Sequence, residues 1–207
     1  MTIEKGQPWG TPAHDLALPA PVAVGTDAEA NEVVEQARRA NAAVPPLVLL
    51  GGDLARTVGG TGQGDHARGP DAIALPCDLG SVLLDGRQFW FVAHLVARRS
   101  WWRGRIFVAM NAQFWGRYDV APRGHPNDGV VELLDVAPSF GILDRLRARR
   151  RLPTGTHLPH PGITVRRVRA QQETFAPPLV VWLDGVRVGK VRSLSLRVEP
   201  DALIVIV

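Results

Sequence analysis

The order of apolar runs and turn residues divides the chain into two parts. In the first part, residues 22–24 form a short apolar run and residues 27–41 carry apolar positions at helical spacing. A continuous apolar run at 47–50 then ends at Gly51-Gly52. The sequence of strand, helix and strand predicts one α/β unit. Asp27 is the expected N-cap of the helix, and Ala30, three positions on, leaves its capping box incomplete.

The second part has the pattern of an antiparallel β domain. Asp85-Gly86 and Asp184-Gly185 are typical hairpin turns, and a stretch rich in Leu and Arg predicts a helix at 142–152. Residues 59–71, rich in Gly and charge, form the expected linker. The predicted fold class is therefore α+β: a reduced α/β segment at 1–60 followed by an antiparallel β-sandwich domain at 61–207. The strands are predicted at 72–86, 88–97, 104–114, 129–137, 163–170, 179–185, 186–191, 194–200 and 202–207.

Charge and cysteine content narrow the class of protein. The 207 residues carry 24 basic and 20 acidic side chains, and Lys5 and Lys190 are the only lysines. The basic charge is thus almost wholly guanidinium, which favours planar pairing with phosphate or carboxylate. A single cysteine, Cys77, excludes an internal disulfide framework. No signal peptide and no apolar run of about 20 residues is present, so we expect a cytoplasmic protein, at most peripheral to a membrane.

Residues 111–136 contain Pro126-Asn127-Asp128-Gly129 followed by a Leu-Leu-Asp-Val strand. These motifs resemble those of the diacylglycerol kinase and sphingosine kinase family of lipid kinases. Segments 155–163 and 180–189 follow in the family's order, and residues 50–60 are similar to its Gly-rich loop. The resemblance extends from Asp27 to the C-terminus.

The resemblance implies a protein that transfers a phosphoryl group from ATP, with Mg²⁺, to a lipid hydroxyl. Asp128 would then be the general base, although an Asn-Asp-Gly turn explains the same residues. Asp27 is either a phosphate-loop acid or a helix cap. The Gly51–Thr57 loop is either a phosphate cradle or a strand-to-helix turn. The residues expected near the nucleotide are Asp27, Gly51, Gly52, Asp53 and Arg56.

Departures from the family pattern weaken the expectation that the first part of the chain binds a nucleotide. Ala28 and Glu29 stand where the family has Gly and Thr, and a glutamate would place negative charge beside a triphosphate. The early Asn-Pro motif of the family is missing from the 26 residues before Asp27, so we expect an abbreviated and degenerate nucleotide half. The chain also ends on an apolar strand at Val207, and we therefore expect no return of the C-terminus to the first segment.

Arginine and tryptophan occur together in residues 98–105. Trp favours a membrane interface and guanidinium pairs with phosphate, so this patch is a candidate site for anionic lipid. A solvated basic face with packed tryptophans is the alternative, and stacking on nucleic-acid bases is a third interpretation that the basic and aromatic residues also allow. A second basic region at 141–170 holds eight Arg and one Asp. The candidate lipid or anion contacts are Arg98, Arg99, Trp101, Trp102 and Arg103.

Other chemistry is not indicated by the sequence. His125, His157 and His160 have no recognisable metal-ligand spacing, and we predict no metal site. Two functions remain open: a divergent lipid kinase that uses ATP and Mg²⁺, or a non-catalytic relative that binds no nucleotide. The second would act as a lipid-binding or partner-binding module. In either case the expected partner is anionic or neutral lipid at a membrane surface, and the short α/β half makes a homodimer a further prediction.

Overall fold

The main feature of the computed structural model, which describes residues 9–60, 69 and 71–207, is an 11-stranded sheet. The helices are α1 (Asp27–Arg39), α2 (Gly52–Thr57) and α3 (Ile142–Arg151), with short 3-10 turns at Ala13–Asp15 and Leu152–Thr154. The strands are β1 (Thr11–Pro12), β2 (Val22–Val24), β3 (Leu47–Leu49), β4 (Ile73–Leu84), β5 (Arg87–Phe91), β6 (His94–Arg98), β7 (Ile106–Met110), β8 (Phe114–Trp115), β9 (Tyr118–Asp119), β10 (Val131–Val136), β11 (Ile163–Val168), β12 (Ala170–Leu183) and β13 (Val186–Ile206).

The sheet is mostly antiparallel, as the strand pattern predicted. Its main path runs β1-β4-β13-β12-β6-β7-β10-β11, and β5 pairs with β4. Strands β8 and β9 form a separate small ribbon. The division into a sandwich and a nucleotide-domain remnant, with its boundary at residue 60, stays a prediction. Most of the expected linker, 61–68 and residue 70, lies outside the described residues.

The C-terminal strand returns to the first segment, contrary to expectation. Val205 and Ile206 of β13 pair in parallel with Leu47 and Val48 of β3, and β3 pairs in parallel with β2. Side chains from these strands, α1 and α2 share one buried cluster with Leu203 and Val205. The apolar end of the chain is therefore the element that joins the α/β unit to the antiparallel sheet.

Several strand boundaries differ from the sequence prediction, and β12 begins at Ala170, nine residues before the predicted start at 179. Residues 88–97 form two strands because the buried carboxylate of Asp184 accepts the backbone N–H groups of Val92, Ala93 and His94, at 2.8–2.9 Å, and breaks the ladder. Residues 186–206 form one long strand, with a register shift between Glu199 and Leu203 in its pairing with β4. A bulge bends a strand without ending it, which turn residues in the sequence do not reveal.

The N-cap of α1 lies one residue before the predicted cap, and the helix begins at Asp27 itself. Thr26 is the N-cap, and its Oγ1 accepts the N–H of Glu29 at 3.1 Å. The Glu29 carboxylate in turn accepts the N–H of Gly25 at 2.6 Å. Thr26 and Glu29 thus have the three-residue spacing of a capping box, and the prediction of Asp27 as cap was wrong.

Candidate functional site

An apolar cavity of about 480 Å³ lies between β7, β10, β11 and α3. Its volume falls within the range of about 300–1,000 Å³ that is usual for small-molecule sites. The walls come from alternate positions of β7 and β10, from the first residue of β11, from the inner side of α3, from the β6–β7 connection and from the β8–β9 ribbon. The apolar and aromatic lining side chains are Trp101, Trp102, Ile106, Val108, Trp115, Tyr118, Val120, Leu134, Val136, Phe140, Ala148, Leu152 and Ile163.

Two arginines and a tyrosine stand at the exposed edge of the cavity. Arg117 Nη2 lies 3.4 Å from the hydroxyl oxygen of Tyr118. Hydrogen bonds from Arg149 and then from Arg117 lower the pKa of Tyr118. Both guanidinium groups also line the cavity. This edge therefore combines positive charge with hydrogen-bond donors, which suits a carboxylate or phosphate.

A buried histidine lies in the cavity wall. His157 is 3% exposed, and at least one of its ring nitrogens has no hydrogen-bond partner among the described residues. Burial lowers its pKa, so the imidazole is held neutral. A neutral histidine can donate or accept one hydrogen bond and could meet a polar atom of a bound ligand.

The predicted arginine and tryptophan patch is divided by the structure. Trp101 and Trp102 are both 39% exposed and line the cavity. The Arg98 guanidinium lies 3.9 Å from the ring centre of Trp101 and 4.3 Å from that of Trp182. Its charge is thus stacked between two indoles, and burial lowers its pKa. Arg99 and Arg103 remain exposed on the connection between β6 and β7.

A second polar group is formed by Asp27, Asp53 and His94. Their ligand atoms lie within 4.8 Å of one another, and His94 Nε2 is 3.1 Å from Asp53 Oδ2. Burial disfavours the charge of His94, but the hydrogen bond to Asp53 and the nearby carboxylates outweigh it and raise its pKa. Burial also raises the pKa of Asp27. This arrangement is a cluster that could hold a metal ion, and no metal site was predicted from the sequence.

The donor set of this cluster is a poor match for Mg²⁺. One imidazole with two carboxylates is typical of transition metals, whereas Mg²⁺ prefers oxygen ligands and octahedral geometry. Both oxygens of Asp27 also accept backbone N–H groups, from Asp53 at 2.6 Å and from Leu54 at 3.0 Å. An ion here would compete with these hydrogen bonds.

The two helix N-termini that could receive phosphate hold carboxylates of the chain itself. The Glu29 carboxylate accepts the N–H of Gly25, just before α1. The Asp27 carboxylate accepts the N–H groups of Asp53 and Leu54 in the first turn of α2. A carboxylate at a helix N-terminus makes the interactions that a phosphate oxygen would make there. Phosphate binding at either position therefore requires that a side chain move away.

The remaining predicted nucleotide residue, Arg56, also has partners. Its guanidinium donates a hydrogen bond to the carbonyl of Gly116 and lies 4.0 Å from the ring centre of Phe114. The structure brings Asp27, Gly51, Gly52 and Asp53 together at the start of α2, and Arg56 lies in the last turn of the same helix. Their assignment to a nucleotide stays a prediction.

Trp115 and Gly116 connect the polar cluster to the cavity. The Trp115 ring lies 5.1 Å from that of His94 and 5.3 Å from that of Trp101. The Gly116 N–H donates to Asp53 Oδ1 at 2.6 Å, and both residues also line the cavity. The two candidate sites are therefore neighbours, separated by one tryptophan and one backbone segment.

Asp128 lies in a turn before β10. One carboxylate oxygen accepts the N–H of Val130 at 3.2 Å, and the other is in contact with Arg167. Gly129 has a positive φ of 71°. Among the described residues, no hydrogen bond or ion pair joins Asp128 to Asp53 or His94. The local geometry is that of the Asn-Asp-Gly turn, and a role as general base stays a prediction.

Several residues of these sites have only weak signals in the sequence. His94 lies within an apolar run and approaches Asp53 only through the pairing of distant strands. Arg117 and Tyr118 belong to a two-stranded ribbon too short to predict from periodicity. The charge of Glu29 is evident from the sequence. That its carboxylate accepts the Gly25 N–H could be predicted only if Thr26 were recognised as the N-cap.

Comparison with known proteins shows the fold. No family model and no curated protein matches the sequence. Two solved structures from Bacillus anthracis str. Sterne, each described as a "putative diacylglycerol kinase", align with 89% of this chain at 10% identity. Their TM-scores are 0.65 and 0.68, with 77% and 76% of their own chains covered. A third, described as a diacylglycerol kinase, has a TM-score of 0.58, 12% identity and coverage of 89% and 74%. The resemblance predicted from the motifs is confirmed at the level of the fold.

Proposed function

We propose that the protein binds a single lipid, with an apolar chain in the cavity and an acidic head group between Arg117 and Arg149. The observation that carries the proposal is the cavity, which combines a largely aromatic and aliphatic wall with guanidinium groups at one edge. Burial of an alkyl chain is favourable by roughly 0.8 kcal/mol per methylene. The fold shared with structures described as diacylglycerol kinases supports a lipid as the ligand.

Calorimetric titration with a monomeric short-chain phosphatidic acid tests this proposal. Val108, which is 5% exposed, lines the cavity, and Val108→Phe should fill part of the space and weaken binding at least about tenfold. The matched control is Val188→Phe, which enlarges a half-buried valine of β13 outside the cavity. No saturable binding, or equal affinity of the two variants, would refute the proposal.

The head-group assignment has its own test. Arg149→Gln should weaken binding of phosphatidic acid about tenfold or more, because a charge-assisted hydrogen bond is worth about 1.5–3 kcal/mol. The same change should leave the affinity for a short-chain diacylglycerol, which has no charge, nearly unaltered. Equal losses for both lipids would contradict an anion site at Arg149.

ATP-dependent phosphorylation of a lipid hydroxyl is a second candidate function. It is favoured by the contact of Trp115 and Gly116 with both the cavity and the cluster of Asp27, Asp53 and His94. That cluster would lie beside a head group held at the cavity edge. The family resemblance adds Asp128 as the base and ATP with Mg²⁺ as cofactors. The internal carboxylates at both helix N-termini favour instead the non-catalytic alternative, in which the protein binds lipid without nucleotide.

Titration with ATP in the presence of Mg²⁺ distinguishes these alternatives. Glu29→Thr removes the carboxylate from the Gly25 amide, whereas Glu32→Thr removes an equal charge elsewhere on the exposed side of α1. A kinase should bind ATP, and Glu29→Thr should bind it more tightly than Glu32→Thr. It should also convert diacylglycerol to phosphatidic acid, with loss of turnover in Asp128→Asn. Absence of ATP binding in all three proteins would exclude the kinase function and leave the lipid-binding function unaffected.

A further inference from the structure

The outer side of α3 presents apolar side chains to solvent. Leu143 is 68% exposed, Ile142 is 44% exposed and Leu146 is 38% exposed. Positions separated by three and four residues lie on one side of a helix, so these three side chains form a continuous apolar face. A helix that only covers a core would turn these residues inward, but here the inward positions are Arg145, Ala148 and Leu152.

Positive charge surrounds this apolar face. Arg147, Arg150 and Arg151 are exposed on the same helix. The one acidic side chain of α3, Asp144, is paired with Arg147 at 2.9 Å. An exposed helix that combines leucines with arginines is typical of segments that lie on anionic membranes. A face of this composition is complementary to a surface that is both apolar and negatively charged.

Two exposed tryptophans extend the surface beyond α3. Arg145 is 5% exposed and donates to the carbonyl of Trp101 at 3.2 Å, which fixes the β6–β7 connection against the helix. The Arg149 guanidinium lies 5.7 Å from the ring centre of Trp102. Indole rings favour the depth of lipid head groups. The tryptophans and Arg149 also line the cavity, so the cavity is bordered by the same surface.

We propose that this surface, formed by Ile142, Leu143, Leu146, Trp101 and Trp102 with the arginines of α3, docks on an anionic phospholipid bilayer. The inference rests on the proposed lipid-binding function, since docking would place the cavity edge at the head groups from which its ligand comes. The apolar side chains enter the interface, and Arg147, Arg150 and Arg151 pair with lipid phosphates.

Sedimentation with vesicles tests the docking. The full chain should associate with vesicles that contain phosphatidylglycerol much more than with pure phosphatidylcholine, and less at high salt. Leu143→Ser should reduce the partition coefficient about tenfold. Its control is Leu83→Ser, because Leu83 is 41% exposed on β4, away from the cavity. Equal binding of these two variants would overturn the proposal.

The arginines are tested in the same assay. The double variant Arg147→Gln, Arg150→Gln should bind anionic vesicles about 25-fold more weakly at low salt, since each arginine contributes about fivefold. The control replaces two exposed arginines of β13, Arg187 and Arg197, in the same way. If the two double variants bind equally, or if neutral and anionic vesicles bind equally, the proposal is wrong.

Calorimetry with monomeric short-chain phosphatidic acid separates this inference from the function on which it rests. Leu143→Ser should retain wild-type affinity for that lipid, because the Leu143 side chain lies outside the cavity wall. Monomer binding without selective vesicle binding overturns the docking surface alone. Loss of monomer binding in the wild-type protein overturns the proposed function itself.

Discussion

At the scale of single residues, two aspartates with the same local sequence have opposite environments. Asp85 and Asp184 each precede a glycine in a hairpin turn, with φ values of 47° and 48°. The Asp85 carboxylate is exposed and accepts hydrogen bonds from Ser193 and Arg192, which lower its pKa. The Asp184 carboxylate is buried, and burial raises its pKa to about 6.

This contrast predicts a pH-dependent difference in stability. The folded protein keeps Asp184 protonated up to about pH 6, whereas the ordinary pKa of an aspartate is 3.8. Between these pH values the folded state therefore holds one more proton than the unfolded state. The stability that protonated Asp184 contributes is fully present below about pH 4 and is lost as pH rises to about 6. Asp184→Asn removes that titration. The difference in free energy of unfolding between wild type and this variant should therefore become smaller as pH rises over this interval, by up to about 3 kcal/mol.

Urea denaturation at several pH values measures the effect. Asp85→Asn is the matched control, and its sign is opposite because the pKa of Asp85 is lowered. The stability that Asp85 contributes is present above pH 4 and is lost as pH falls through its folded pKa. A cost for Asp184→Asn that is constant with pH would show that Asp184 does not titrate in this range.

At the scale of elements, a buried arginine fixes α3 to the sheet. The Arg145 guanidinium donates to the carbonyls of Phe140, Trp101, Gly104 and Ala137, at 2.5–3.3 Å. The helix therefore presents a charged residue inward and its leucines outward. This inversion forms one wall of the cavity and leaves the apolar face free.

Replacement of Arg145 should loosen the whole helix. Arg145→Met removes the guanidinium donor from four carbonyl groups, of which Ala137 keeps the N–H of Phe140 at 3.0 Å, and should lower the free energy of unfolding by about 2–4 kcal/mol. Arg147→Met, on the exposed side of the same helix, should change it by less than about 0.5 kcal/mol. Urea denaturation gives both values, and hydrogen exchange of α3 should rise only in the Arg145 variant. Similar costs for the two variants would refute the role of Arg145.

At the scale of the whole molecule, the C-terminal strand joins the α/β unit to the large sheet. Leu203 is 1% exposed and packs in the cluster that contains side chains from α1, α2, β2 and β3. We expect a single unfolding transition, because the free energy of the first segment depends on β13.

Leu203→Ala tests this coupling. Truncation of a buried leucine should cost about 2–5 kcal/mol, and exchange protection should fall together in α1 and in β12. Leu83→Ala, at an exposed position of β4, should cost less than about 1 kcal/mol. Two separate transitions, with protection lost only in residues 9–60, would show that the first segment folds by itself.

Much of the local structure follows from the sequence. The hairpins at Asp85-Gly86 and Asp184-Gly185, the two longer helices and the strands β2, β3, β4, β7, β10 and β11 were predicted, because each has a periodicity or turn signal of its own. The ends of β5, β6, β12 and β13 were not. Among the described residues, no helix is long and apolar enough to cross a bilayer. The motif around Asp128 also indicated the fold that the structural comparison found.

The sites depended on long-range pairing. Asp53 and His94 are 41 residues apart, and Tyr118 and Arg149 are 31 apart, so no local pattern indicates that their side chains meet. The predicted helix at 142–152 gave no sign that Arg145 would point inward, because a run of arginines predicts a solvated face. Glu29 was noted for its charge, but its effect depends on the capping geometry at Gly25.

The sequence by itself therefore determined the types of element, the order of the strands along the chain and the excess of arginine. Turn chemistry and hydrophobic periodicity act over a few residues, so they are readable without a partner. The tertiary structure alone decided where the C-terminal strand pairs, which aspartate is buried, which carboxylates occupy the helix N-termini and that a cavity lies beneath α3. These features arise from contacts between distant segments, whose free energies depend on burial that only the complete fold creates.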